Sequence, residues 1–217
     1  MSIFIKTILI PFTLMFIFTA CSVKTEPEQI KEERKLVREE ITDLLITEIY
    51  EIVFALENKD LNLLNKYIHP TFGYYDVFKI DGNQAIVHKK TINNFVYEGL
   101  EELNHVIYER EDDINFRAIK IANPKFDCSY EDDKFYGWND SGLFINADVQ
   151  NYLTEHMTDF NKTNVDFYKK EDFYKAKIVE KTSYKVVLTP YIIFYVTKLE
   201  DKFYITLFDR AFTDCSR

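Results

Sequence analysis

The chain has 217 residues, enough to bury one sizeable core, and its 47% hydrophobic and 29% charged content is that of an ordinary globular domain. Glycine and proline number only 5 each, which excludes long low-complexity tracts, and a formal charge of −9 argues against nucleic acid and against electrostatic adhesion to anionic lipid. Aromatic residues reach 16%. The excess runs through the whole chain, so a tyrosine alone is no evidence of a ligand contact.

Residues 1–20 place one basic residue, Lys6, before the fourteen uncharged residues "TILIPFTLMFIFTA" and then Cys21. That order is a secretory signal: a charged start, an apolar stretch and a small-residue cleavage site. The apolar run is shorter than the about 20 residues a spanning helix needs. Phe18-Thr19-Ala20-Cys21 resembles the lipobox of bacterial lipoproteins, with Phe18 in place of the usual Leu. The resemblance implies that residues 1–20 are removed, that Cys21 takes a diacylglycerol thioether, and that its new amine is acylated. The alternative is a plain secretory signal followed by an incidental cysteine. Acyl chains at about 0.8 kcal/mol per buried methylene would hold the chain on a bilayer. Ser22 next to that cysteine implies export to the outer membrane, facing the periplasm. Loss of Lys6 leaves the mature chain one unit more acidic.

Two cysteines remain, Cys128 and Cys215. In an oxidising compartment they allow one pairing, the alternative being two free thiols. Closing so long a loop would constrain the unfolded chain by roughly 4–5 kcal/mol.

Residues 21–29, ending in "SVKTEPEQ", form a lipidated polar tether, and 30–217 a single domain. From about Glu28 to Glu57 apolar residues recur at three- and four-residue steps (Ile30, Val37, Ile41, Leu44, Leu45, Ile49, Ile52, Val53, Leu56), which predicts a long helix. Asn58-Lys59-Asp60 breaks it, and Asp60 caps a short helix over Leu61–Ile68 that Pro70 ends. Thr71–Ile80 is β-branched and aromatic and reads as strand, with Asp81-Gly82 as its turn. A helical stripe follows over Thr91–Tyr108. "NFRAIKIANPKFDCSY" reads as strand broken at Asn123-Pro124, and "LFINA" as strand. Asp148 caps a third helical run with Val149, Tyr152, Leu153, His156 and Phe160 on one face. The remainder reads as β: "DFYKAKIVEKT", "SYKVVLT", "YIIFYVTKLE" and "KFYITLFDR", with Glu200-Asp201-Lys202 turning the last two into a hairpin. Helices with apolar stripes need a sheet to cover, and strands on short turns pair antiparallel, so the class is α+β with a mostly antiparallel sheet.

Two segments, "EIVFALENKDLNLLNKYIHPTFGYY" and "YIIFYVTKLEDKFYITLFDR", resemble the nuclear transport factor 2-like superfamily. The first is a helix, a Lys-Asp break, a short helix and a His-Pro entry into strand; the second is a closing hairpin. The resemblance implies a curved sheet wrapped around helices into a cone with an apolar pocket. Residues 88–165 exceed what such a domain needs and read as a possible insertion. The end "DRAFTDCSR" resembles a group of bacterial envelope lipoproteins for which no activity is implied.

Chemistry is sparse. His69, His88, His105 and His156 lack metal spacing, and neither CxxC nor HExxH occurs, so neither metal nor other cofactor is expected. The acidic runs Glu109–Asp113 and Glu131–Asp133 lack the spaced oxygens of a calcium loop and read as solvated turns. Asp76 with His69 is the best acid/base pair: on a strand, Asp76 shares a face with Phe72 and Tyr74 and could be buried. The plainer reading makes His69 a helix terminator. His156 reads as a satisfied core residue, and His88 and His105 as surface. Tyr74 and Trp138 are candidate ligand contacts, Trp138 equally a loop anchor. "DFNKT" fits an extended bacterial glycosylation sequon at Asn161. Three functions stay open: a non-enzymatic lipoprotein that binds a small apolar ligand or a protein partner, a pocket hydrolase or isomerase using Asp76 and His69, and an acidic inhibitor or immunity-type protein.

Overall fold

The two opening helices form for the reasons their sequence suggests. In the computed structural model α1 spans Asp43–Glu57, and the Thr42 hydroxyl accepts from the Leu45 N–H at 3.2 Å at its start. It ends where Lys59 turns to φ 52°. The Asp60 carboxylate then accepts from the Leu63 N–H at 2.9 Å and opens α2, Leu61–Asn65. The structure describes residues 40–80, 82–93, 119–129, 137–147, 151–189 and 192–215, all within one compact unit, Lys35–Arg217. Cys21, the tether, the first half of the expected long helix, the acidic runs, His105, Asp148 and most of the stripe expected over 91–108 lie outside the described residues.

The described strands are β1 (Tyr74–Ile80), β2 (Asn83–Lys89), β3 (Ile119–Ile121), β4 (Leu143–Asn146), β5 (Tyr184–Leu188), β6 (Ile192–Leu199) and β7 (Lys202–Asp209). Two further helices are α3 (Leu153–Thr163) and α4 (Lys170–Thr182). All seven strands join one sheet in the order β2-β1-β7-β6-β5-β4-β3. Its pairs are antiparallel except β1–β7 and β3–β4, which are parallel. The class is α+β, as expected, but the sheet is a long row that is not curled. β3 and β4, from the middle of the chain, are its far edge.

Each face carries its own core. On one, Leu45, Ile49, Ile52 and Leu56 of α1 and Leu64 of α2 pack with Tyr74, Tyr184, Val186, Phe194 and Ile205. On the other, Leu153 and Met157 of α3 and Ala176 and Val179 of α4 pack with Tyr75, Val77, Phe144, Val187, Tyr195 and Leu207. Each fully buried aliphatic side chain contributes about 1.5–3 kcal/mol, so both layers are needed.

Three local readings change. "DFYKAKIVEKT" is the helix α4, not strand. Its β-branched and aromatic letters suggest a strand, but Phe173, Ala176 and Val179 recur every third residue, and the Asp172 carboxylate accepts from the Lys169 N–H at 2.8 Å as a cap. β2 is a strand that its polar letters "NQAIVHK" conceal, because it lies at the sheet edge with little to bury. α3 starts at Leu153 and buries Leu153 and Met157, while Tyr152 and Phe160 are 55% and 41% exposed.

One irregularity positions the site. Tyr195 pairs with Leu207 but Val196 with Ile205, so Thr206 is an extra residue in β7. This bulge resets the alternation of the strand. Phe203 and Ile205 belong to the α1 face, whereas Leu207 joins the α3–α4 face. Asp209, two residues further, follows Leu207 onto that second face. The Thr206 hydroxyl, fully buried, meets that of Thr197 at 2.6 Å.

Candidate ligand-binding cleft

The junction at His69 and Asp76 is built for structure. The His69 Nδ1 accepts from the N–H groups of Phe72 at 3.0 Å and Thr71 at 3.3 Å, terminating the helical segment. Its ring meets the edge of Tyr204. Gly73 follows with φ +73°, and a Cβ there would stand 2.2 Å from the Lys89 carbonyl oxygen, so the chain needs glycine to enter the sheet. Asp76 is 2% exposed. Its Oδ1 accepts from Arg210 Nε at 2.9 Å, and its Oδ2 from Arg210 Nη2 at 3.0 Å and Lys89 Nζ at 2.6 Å. Both carboxylate oxygens are thus already engaged by cations of the protein itself.

The other sequence candidates are placed as follows. Tyr74 is 2% exposed, edge-on to Phe208, and burial pushes its hydroxyl pKa upward. Trp138 is also 2% exposed, between Phe126 at 5.2 Å and Phe212 at 5.9 Å. It anchors its loop and offers no face to a sugar. Cys128 and Cys215 form a disulfide, Cα–Cα 5.6 Å, which ties the tail carrying Phe212 to the strand-like segment at Phe126. Asn161 sits in α3, where its amide donates to the Tyr168 carbonyl at 2.9 Å and accepts from the Tyr168 N–H at 3.0 Å. That pair ties α3 to the turn leading into α4, so a glycan at Asn161 would have to break it. His88 is half-buried, not surface: Nε2 lies 2.6 Å from the Phe72 carbonyl, and burial lowers its pKa.

The residues that gather around open space lie elsewhere, on the α3–α4 face. A cleft of about 710 Å³ is lined by Val77, Leu153, Leu207, Tyr152 and Phe212 as apolar walls. Its polar lining includes Asn123, Asn146, Asn151, His156, Lys185 and Asp209. Lys185 is the second residue of the buried strand β5 and is 6% exposed. Its Nζ lies 3.8 Å from the centroid of Phe212, a cation–π contact, and has no hydrogen-bond acceptor among the described residues. Burial lowers the Lys185 pKa, opposed by the charge of Asp209. Burial raises the Asp209 pKa, opposed first by Lys185 and then by the N–H groups of Phe212 and Ala211. Asn151 has both amide atoms, Nδ2 and Oδ1, buried and without a partner among the described residues.

Of this set the sequence signalled only His156, and as core. Lys185 was visible as one charge inside "SYKVVLT", where a buried strand should carry none. Asp209 depends on the bulge at Thr206, which no letter announces.

The fold and cleft together define an α+β domain with a lysine-floored cleft on the face opposite α1. No protein-family model matches the chain, and no curated protein or solved structure is significantly similar to it. Among the described residues no group of His, Cys, Asp and Glu is arranged to hold a metal ion, and no helix is long and apolar enough to cross a membrane.

Proposed function

We propose that this protein is a lipid-anchored envelope protein that binds a small molecule in the lysine-floored cleft without transforming it. The observation that carries the reading is the cleft itself: it holds a buried ammonium and an unpartnered amide among apolar walls. Buried polar groups are normally satisfied, so such groups on residues that line a cleft are those a ligand would complete. The enzyme alternative is weaker, because Asp76 already has both oxygens engaged by Arg210 and Lys89. The lipobox at Cys21 and Ser22 supports an outer-membrane anchor facing the periplasm. The helix–break–helix–strand opening and the β6–β7 hairpin support a nuclear transport factor 2-like ancestry. The apolar pocket of that family would lie against α1; here α1 and α2 fill that face, and the cleft lies behind it. The expected ligand is therefore amphipathic rather than purely apolar.

Native mass spectrometry of the chain extracted from envelopes in mild detergent tests the binding. A bound small molecule is expected, and an invariably empty chain would overturn it. Palmitate labelling tests the anchor: label in the parent and none in Cys21→Ala is expected, and an unlabelled parent would remove the lipoprotein reading.

A second reading, a protein partner, rests on the end of α3 and the turn after it, where Phe160, Val165 and Phe167 are 41%, 82% and 61% exposed. Cross-linking in envelopes should recover a partner from the parent and not from a Val165→Ser/Phe167→Ser variant; equal recovery from both would refute it.

A further inference from the structure

The cleft departs from the rest of the molecule in charge. The chain carries a net charge of −9. Yet the acidic and basic side chains lining the cleft are Lys79, Lys185 and His156 against Asp209 alone. A concave, partly apolar surface with an excess of one sign of charge concentrates counter-ions of the other. Two of the four already have protein partners: Lys79 Nζ donates to the Asp214 carbonyl oxygen at 2.5 Å, and Asp209 Oδ1 accepts from the Phe212 N–H at 3.0 Å. Lys185 has only the ring of Phe212 and the more distant field of Asp209. A buried ammonium held by a ring face alone keeps donors for an anion. Asn151 adds a different demand. A primary amide presents a donor and an acceptor side by side, which is the complement of another amide. Beside these, Leu153, Leu207, Val77 and Phe212 offer an apolar wall.

We propose that the cleft takes a small amphipathic carboxylate that also carries an amide, of the N-acyl amino acid class. Its carboxylate would sit at Lys185, its amide at Asn151, and its apolar side chain against Leu153, Leu207 and Phe212. This deepens the small-molecule reading above and rests on it. It assigns roles to residues far from the His69–Asp76 junction, and it makes the bulge at Thr206 a functional feature, since that bulge keeps Leu207 and Asp209 on the cleft side.

The test uses the full chain and its only tryptophan. Trp138 stacks on Phe212, which lines the cleft, so occupancy should change its emission. Three probes are titrated in parallel: N-acetylphenylalanine, its carboxamide, which lacks the anion, and 3-phenylpropionate, which lacks the amide. The acid should bind most tightly, and each of the other two more weakly by about tenfold or more, as loss of one charged or buried hydrogen bond implies. Lys185→Met, checked for an unchanged far-ultraviolet spectrum, should remove the preference of acid over carboxamide. Asn151→Leu should remove the preference of acid over phenylpropionate. Equal binding of acid and carboxamide by the parent would overturn the inference while leaving the cleft a ligand site. Binding of none of the three would also overturn it, and the native mass spectrum then decides separately whether the cleft holds any ligand. The parent comparison needs no variant to fold.

Discussion

Replacing Asp76 by Asn separates a structural carboxylate from a catalytic one. The Asp76 side chain is 3% exposed, Arg210 13% and Lys89 21%. Asn keeps the shape but removes the charge that holds two cations, and its NH₂ would face one of them. Breaking a buried ion pair from one side costs about 3–5 kcal/mol. Both cations reach some solvent, which favours the low end, about 3 kcal/mol. For a domain of this size that lowers the melting temperature by roughly 6–12 °C. The assay is urea unfolding followed by far-ultraviolet circular dichroism, with Asp76→Leu/Lys89→Met/Arg210→Met as companion. Since an apolar replacement of a whole buried cluster is often neutral, the triple variant should recover most of the loss. An Asp76→Asn protein within about 1 kcal/mol of the parent would refute the reasoning, most sharply if ligand binding vanished at the same time.

Three further outcomes are expected. Gly73→Ala places a methyl 2.2 Å from the Lys89 carbonyl at a positive φ, so it should lose about 1–3 kcal/mol or more in the same unfolding assay; a neutral result would mean the strand entry can shift. Cys128→Ser/Cys215→Ser should lose up to about 4–5 kcal/mol and shift Trp138 emission to the red as Phe212 is released, whereas an unchanged spectrum would show that the tail docks without the disulfide. His88 has its folded pKa lowered below 6.5, first by burial, so the unfolded chain binds the proton more readily. Stability should therefore be intact above pH 6.5 and fall as pH drops through that value towards the folded pKa, and His88→Gln should flatten the slope; a parent curve no steeper than that of the variant would contradict this.

Much of the fold was legible because local signals agreed with the global need. Asp60, Lys59 and Pro70 punctuate the opening, and the alternation in "YIIFYVTKLEDKFYITLFDR" marks a hairpin that the structure has. Two elements were hidden by composition. α4 is written in strand-favouring letters, and only its three-residue repeat reveals a helix. β2 is polar because an edge strand buries little. The site was less legible. A cleft arises where elements remote in sequence leave space, and its polar groups come from β1, β2, β4, α3, β5, β7 and the segment after β3. The junction at His69 attracted attention because its residues are chemically capable, yet capping and ion pairing employ them fully. Lys185, unremarkable among so many lysines, is distinctive only once β5 is known to be buried.

The central claim is that the binding site is the cleft and not the His69–Asp76 junction. Amide chemical-shift mapping of the isotope-labelled chain during titration with N-acetylphenylalanine tests it directly. The account predicts the largest perturbations at residues 151–156, 185 and 207–212, with little change at 69–76. Perturbations centred on His69 and Asp76, or no saturable change anywhere, would contradict it.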